Sequence, residues 1–215
     1  CMMLIKRDFI ALYKQSILGP LWHVITPLFT TLVFTLIFGN VLNISSEGVP
    51  HALFYLVGVV FWGYFSANFR QIARFFIDNS HIITKVYFPK MILPVSIIGS
   101  KLITLGIQFG IFLIVYVIYL FRGFDFIPGL ELLRVIPAFV VMTVLSLAVG
   151  LLFAALTVKY RDLIHMLDFI VMLWMYASPV VFPLSEIPAK YRWVAAINPV
   201  APLLEEIRHV FLGTN

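Results

Sequence analysis

The sequence predicts an all-α integral membrane protein. Three observations carry that expectation. The 215 residues are 62% hydrophobic and only 12% charged, against about 25% charged in an average soluble domain. The mean hydropathy is +1.03. Long stretches lack Asp, Glu, Lys and Arg altogether, and about 20 such residues suffice to cross the roughly 30 Å hydrocarbon core as a helix. This composition excludes a soluble globular enzyme, and it excludes disorder, which needs low hydrophobicity. The single cysteine, Cys1, allows no internal disulfide. The net charge of +5 belongs, in a membrane protein, to cytoplasmic loops and implies no nucleic-acid partner.

The elements follow in chain order. Residues 3–17 place Arg7, Asp8, Lys14 and Gln15 on one arc of a helical wheel, and Ile5, Phe9, Leu12, Tyr13 and Ile17 on the other. That pattern suits a helix lying in the membrane interface, although a plain basic flank would also anchor topology. Transmembrane helices are predicted at 20–42, 51–69, 91–121, 135–158 and 163–182, the last around the shorter uncharged run 169–185. No small-residue cleavage site follows the first of them. With the N-terminus inside, the inner segments hold Lys6, Arg7, Lys14, Arg70, Arg74, Lys85, Lys90, Lys159 and Arg161. The outer loops 43–50 and 122–134 hold only Arg122 and Arg134. Nine basic residues against two put the N-terminus in the cytoplasm.

Within the inner segment 70–90, Asp78, Asn79 and Ser80 offer an N-cap to a short helix at 79–88 that Pro89 ends. Its apolar stripe, Ile82, Ile83, Val86 and Tyr87, beside Lys85, needs a covering surface: a partner protein or the bundle itself. Near the C-terminus Pro179, Pro183, Pro188, Pro199 and Pro202 crowd into 24 residues. The apolar stretch 193–204 between them is too short to span, so 183–212 reads as re-entrant or interfacial on the outer side.

Catalytic constellations are missing. There is no Gly-rich nucleotide loop of the G-x-x-x-x-G-K-[ST] kind, so the chain is not expected to hydrolyse ATP itself. The densest polar cluster is Arg161, Asp162, His165 and Asp168, whose acidic and histidine members share a helical face. Ion pairing at a cytoplasmic helix end explains it more simply than metal or proton chemistry. Lys101 sits inside a predicted span and must snorkel to the interface or face a pathway. Aromatics are abundant, and the second span gathers Phe54, Tyr55, Phe61, Trp62, Tyr64 and Phe65. Trp22, Tyr116, Tyr119, Trp174 and Tyr176 add further rings with polar handles. Packing and interfacial anchoring are the ordinary uses of such rings, but aromatic faces also stack on sugars.

Several of these residues form a familiar series. Tyr13-Lys14-Gln15-Ser16-Ile17-Leu18-Gly19-Pro20-Leu21-Trp22, then Pro27, resembles the opening signature of polysaccharide-exporting ABC permeases, the type-2 ABC exporters. Val158-Lys159-Tyr160-Arg161-Asp162, Ser178-Pro179 and Asn198-Pro199 match its later landmarks in order. The likeness covers essentially the whole chain and is strongest to the O-antigen export branch.

The resemblance implies a homodimer of six-span subunits in the bacterial inner membrane, driven by a separate ATPase that holds the ATP and Mg; no cofactor belongs to this chain. It makes 79–88 the coupling helix, with Asn79, Ser80, Ile82, Ile83, Lys85, Val86 and Tyr87 facing the ATPase. Lys6, Arg7, Lys14, Leu18 and Gly19 would form the entrance for a polyprenyl-pyrophosphate-linked glycan coming from the membrane lipid. Trp22, Phe54, Tyr55, Phe61, Trp62, Tyr64, Tyr116, Tyr119, Trp174 and Tyr176 would supply the aromatic channel. Arg161, Asp162, Pro179, Pro183, Asn198 and Pro199 would gate it, with 183–212 forming periplasmic gate helices. The family's sixth span has no counterpart here, so the 215 residues are expected to be a fragment. The alternatives are an ABC permease for a drug or lipid, disfavoured by the short outer loops, and a membrane-embedded enzyme acting on polyprenyl-linked sugars, whose best site would be Asp162, His165 and Asp168.

Overall fold

The computed structural model describes residues 21–80, 91–126 and 128–214, and no strand occurs among them. The predicted interfacial helix 3–17, with Lys6, Arg7, Lys14, Leu18 and Gly19, lies outside the described residues. So do Ile82, Ile83, Lys85, Val86 and Tyr87 of the predicted coupling helix.

Helix α1 spans Trp22–Phe34 and continues as wider π-helical turns over Thr35–Val41. Pro27 lies inside it and has no N–H to give the His23 carbonyl. Gln108 of a neighbouring helix supplies the missing donor, its Nε2 lying 3.4 Å from that oxygen. In lipid no water is at hand to do so. Gly39, in the π-helical turns, lies under the His51 ring, where a Cβ would come within 2.8 Å.

Helix α2 runs His51–Asp78. Its 28 residues measure about 42 Å, so it passes well beyond 51–69 and carries Arg70 and Arg74 near its C-terminal end. No proline or glycine interrupts the chain between Tyr64 and Asn79. Helix α3, Ile92–Phe121, and helix α4, Val135–Lys159 with a 3-10 turn before it at Leu130–Arg134, are also long and apolar enough to span.

The fifth predicted span corrects to something shorter. Helix α5 covers only Leu163–Tyr176. Its 14 residues reach about 21 Å, short of the hydrocarbon thickness. The described residues therefore hold four span-length helices, not five. The stop is local: Ala177, Ser178 and Pro179 turn the chain, and Ser178 Oγ donates to the Trp174 carbonyl at 2.8 Å. Beyond it come 3-10 turns at Leu184–Glu186 and Ala189–Tyr191, then the short helix α6, Arg192–Ile197, and helix α7, Ala201–Leu212. Pro202 stands in the first turn of α7, where no N–H is missed. Gly213, at φ +69°, closes its last turn in the left-handed region and returns its N–H to His209.

Helix α2 is the axis of the bundle. It is buried along most of its length, whereas α1, α3 and α4 turn most of their surface outward. Its largest contact is with α4 and the next with α3. Hydrophobicity does not drive such packing in lipid; close approach does. The face of α4 toward α2 is accordingly narrow: Ala138, Met142, Ser146, Gly150, Ala154 and Thr157 are buried at about helical repeat. A Cβ on Gly150 would fall 2.7 Å from Ile72 Cγ2. Thr157 Oγ1 donates to the Ala73 carbonyl at 2.9 Å, and Tyr64 and Thr143 share a hydrogen bond of 3.0 Å.

Candidate functional site

The end of the bundle where α5 stops and α7 packs on α2 holds a knot of buried polar groups. Its first half ties together the two proline landmarks. Asn198 Nδ2 donates to Ser178 Oγ at 2.8 Å and to the Ala177 carbonyl at 3.0 Å. Asn198 Oδ1 accepts from Trp174 Nε1 at 2.9 Å and from the Val200 amide at 3.0 Å. Both polar ends of this buried amide are thus occupied, which is what a low-dielectric setting demands. The chain breaks before Pro179 and Pro199 free the backbone groups that Asn198 then satisfies.

The second half is charged. Arg208 of α7 is fully buried, at 0% exposure. Its guanidinium lies 3.7 Å from the centroid of the Phe54 ring. Arg208 Nη2 donates to the Pro179 carbonyl at 2.7 Å, and Nη1 meets Glu205 Oε1 at 3.3 Å. Glu205 also accepts from the Leu184 amide at 3.3 Å. Space for the guanidinium exists because position 58 is glycine: a Cβ there would lie 3.1 Å from Arg208 Nη2 and 3.1 Å from the Val180 carbonyl. Burial lowers the Arg208 pKa to about 10, opposed by the nearby Glu205 and Glu47 charges, so it stays charged at neutral pH. Burial raises that of Glu205, and Arg208 opposes the rise. From the loop 43–50, Glu47 reaches across to accept from Ser185 Oγ at 2.7 Å.

Toward its C-terminal end, α2 meets α5. Arg70 and Arg74 lie 3.7 Å and 3.9 Å from the carboxylate of Asp168, and Arg74 Nη2 donates to the Ile164 carbonyl at 3.2 Å. Asp168 is thus engaged by cations of α2. Arg161 and Asp162 stand exposed in the turn between α4 and α5, and Asn79 and Ser80 follow the end of α2.

The ten aromatic residues separate into three groups by exposure. Phe54, Tyr55, Phe61, Trp62, Tyr64 and Tyr116 are buried within the single chain. Five of these rings stand on α2, the central helix, and Tyr116 on α3, and within the single chain they pack on protein. Trp62 lies 6.4 Å and Phe65 5.1 Å from the ring of Trp174, while Tyr64 meets Phe139 at 5.1 Å. Trp174 is itself half-buried in this cluster, and Tyr119 is half-buried beside Arg122. Trp22 and Tyr176 keep about half their surface open, at 51% and 48%. Among the gating candidates Pro179, Pro183 and Asn198 are buried and Pro199 is exposed.

The sequence reading gave Arg208, Glu205 and Gly58 no role. A visible signal existed: one arginine three residues after a glutamate, on a helix otherwise apolar on that face.

Comparison with known proteins accords with this architecture. The chain is 27% identical over 209 residues to the O-antigen export system permease protein RfbA of Klebsiella pneumoniae, covering 97% of this chain and 78% of the relative. It is 28% identical over 210 residues to the protein of the same name from Myxococcus xanthus, with the same coverage. The family model for ABC-2 type transporters matches residues 1–212. With four span-length apolar helices and a family match along nearly its whole length, the chain belongs to the ABC-2 type transporter family of multi-pass membrane transport proteins.

Proposed function

We propose that this chain is the permease subunit of an ATP-driven exporter that moves a polyprenyl-pyrophosphate-linked polysaccharide, of the O-antigen kind, across the bacterial inner membrane. One observation carries the reading: the likeness to O-antigen export permeases spans 97% of the chain rather than one motif. Two copies form the pathway, and a separate ATPase binds ATP and Mg. The N-terminus is cytoplasmic. Lys6, Arg7, Lys14, Leu18 and Gly19 meet the lipid pyrophosphate, and residues 79–88 seat in the ATPase.

The described geometry supports a route for the force. The segment 79–88 connects the inner end of α2 at Asp78 to the start of α3 at Ile92. Helix α2 touches α1, α3, α4, α5 and α7. A displacement delivered at its inner end reaches the outer knot through one continuous helix. Arg161 and Asp162, beside the inner ends of α4 and α5, and Pro179, Pro183, Asn198 and Pro199 in the outer turns adjust the opening. Trp22 and Tyr176 offer ring faces to sugar.

An exporter of a drug or lipid is the second reading; the short outer loops favour the glycan. An enzyme on polyprenyl-linked sugars is disfavoured by the engagement of Asp168 with Arg70 and Arg74. The test uses cells lacking the full-length gene and compares surface-accessible with total lipid-linked polymer. Export predicts polymer trapped inside, released only when permease and ATPase are both restored. Normal surface polymer rejects this cargo, and loss of polymer on both faces points to synthesis.

A further inference from the structure

An apolar groove of about 450 Å³ opens on the outer side, lined by Ile44, Tyr176, Phe182, Glu186, Ile187 and Tyr191, among others. One wall is the loop 43–50 and the other is the turn that begins at Leu184. We propose that Glu47 and Ser185 form a releasable clasp between these walls, so that the groove is held narrow at rest and widens when the clasp parts. The clasp rests on the transport reading above and adds to it a moving part.

Each wall is fastened separately. In the loop, His51 Nε2 donates to the Ile44 carbonyl at 3.1 Å, the Glu47 amide donates to Ser45 Oγ at 3.2 Å, and Ser46 Oγ donates to the Val49 carbonyl at 2.5 Å. In the turn, Glu205 holds the Leu184 amide, and Arg208 holds the Pro179 carbonyl. Between the walls runs the exposed bond from Ser185 Oγ to Glu47 Oε1, where water competes for both partners.

The closed position is poised rather than deep. Glu47 sits at φ +56°, in the left-handed region that residues with a Cβ seldom adopt, between Asn43 at +49° and Gly48 at +82°. Its second oxygen, Oε2, is buried with no hydrogen-bond partner, a state that favours release into water. Against these stand the Ser185 bond and the attraction of the buried Arg208 charge. A contact with contributions on both sides is one that a conformational change can tip.

The test places a reporter cysteine in the groove, Ile187→Cys in the full exporter in cells with Cys1 and any other native cysteine replaced by serine, and follows labelling by a membrane-impermeant maleimide from outside. Glu47→Gly removes the clasp while relieving the backbone. It should label about five-fold faster, the population shift expected from losing one net hydrogen bond. Ser185→Ala should do the same, and Glu47→Gln, which keeps an oxygen acceptor but loses the attraction of the Arg208 charge, should label at a rate between those of the parent and Glu47→Gly. Equal rates in all variants overturn the clasp. This readout involves no cargo, so it stands apart from the polymer test of the transport reading. In the same exporter, a Glu47→Cys/Ser185→Cys pair should stop export when oxidised and restore it on reduction. Full export through the quantitatively cross-linked protein overturns the role in opening.

Discussion

The guanidinium of Arg208 stacks on the ring of Phe54 at 3.7 Å, while its Nη2 reaches the Pro179 carbonyl at 2.7 Å. One side chain thus joins α7, the central helix α2 and the turn after α5. Arg208→Ala should destabilise the protein by about 3–5 kcal/mol, because Glu205 is left beside an empty, dry site. Arg208→Lys should not rescue it, since an ammonium has neither the flat face for Phe54 nor the fork that holds two acceptors. Arg208→Met with Glu205→Gln should recover most of the loss. Thermal unfolding in detergent measures all three.

Gly150→Ala should part α2 from α4, since its Cβ would fall 2.7 Å from Ile72 Cγ2. The expected cost is about 1–3 kcal/mol. Ile72→Ala in the same chain should return part of it, a non-additive result read from a double-mutant cycle.

Asn198→Ala leaves the Trp174 indole N–H and the Val200 amide without their acceptor. A loss of about 1–3 kcal/mol follows. Trp174→Phe, which removes one donor and keeps the ring among Trp62, Phe65 and Phe69, should cost about 0.5–1.5 kcal/mol. Denaturant unfolding of the two variants checks the order.

Asp168→Asn should cost less than about 1 kcal/mol, because both of its ion pairs are solvent-exposed. The effect should shrink further at high salt. Polymer synthesis in cells carrying this variant should be normal; its loss would bring the enzyme reading forward.

Glu205 carries a pKa raised by burial. A carboxyl raised in the folded state contributes stability that is fully present below its unfolded value of about 4.5, and that is lost as pH rises through the folded value. Stability should therefore fall as pH is raised from about 4.5 toward neutral, and Glu205→Gln should flatten that slope. Unfolding temperatures measured across this range test the sign.

The membrane class was legible because it depends on composition and length alone. Uncharged runs of span length must be helical in lipid, whatever they pack against. The fifth span was misjudged because hydropathy does not see the chain turn at Ser178-Pro179. The burial of the α2 aromatics within the chain was not legible, because a ring in a sequence carries no address. Phe54 and Trp62 have the composition of a sugar platform and the placement of a core. The small stripe Ser146, Gly150 and Ala154 was readable as a close-packing face at spacing four, but its partner, Ile72, lies far away in sequence.

By itself, then, the sequence determined that the chain lives in a membrane, which side its N-terminus is expected to face, and which family it resembles, since each depends on local residue chemistry and order. Tertiary structure alone decided that α2 is the central helix, that Asn198 meets Ser178, and that Arg208 finds Glu205, Phe54 and the space above Gly58. Those facts rest on distances between residues remote in the chain, and a buried charge or amide is tolerable only where such distant partners converge within hydrogen-bonding reach.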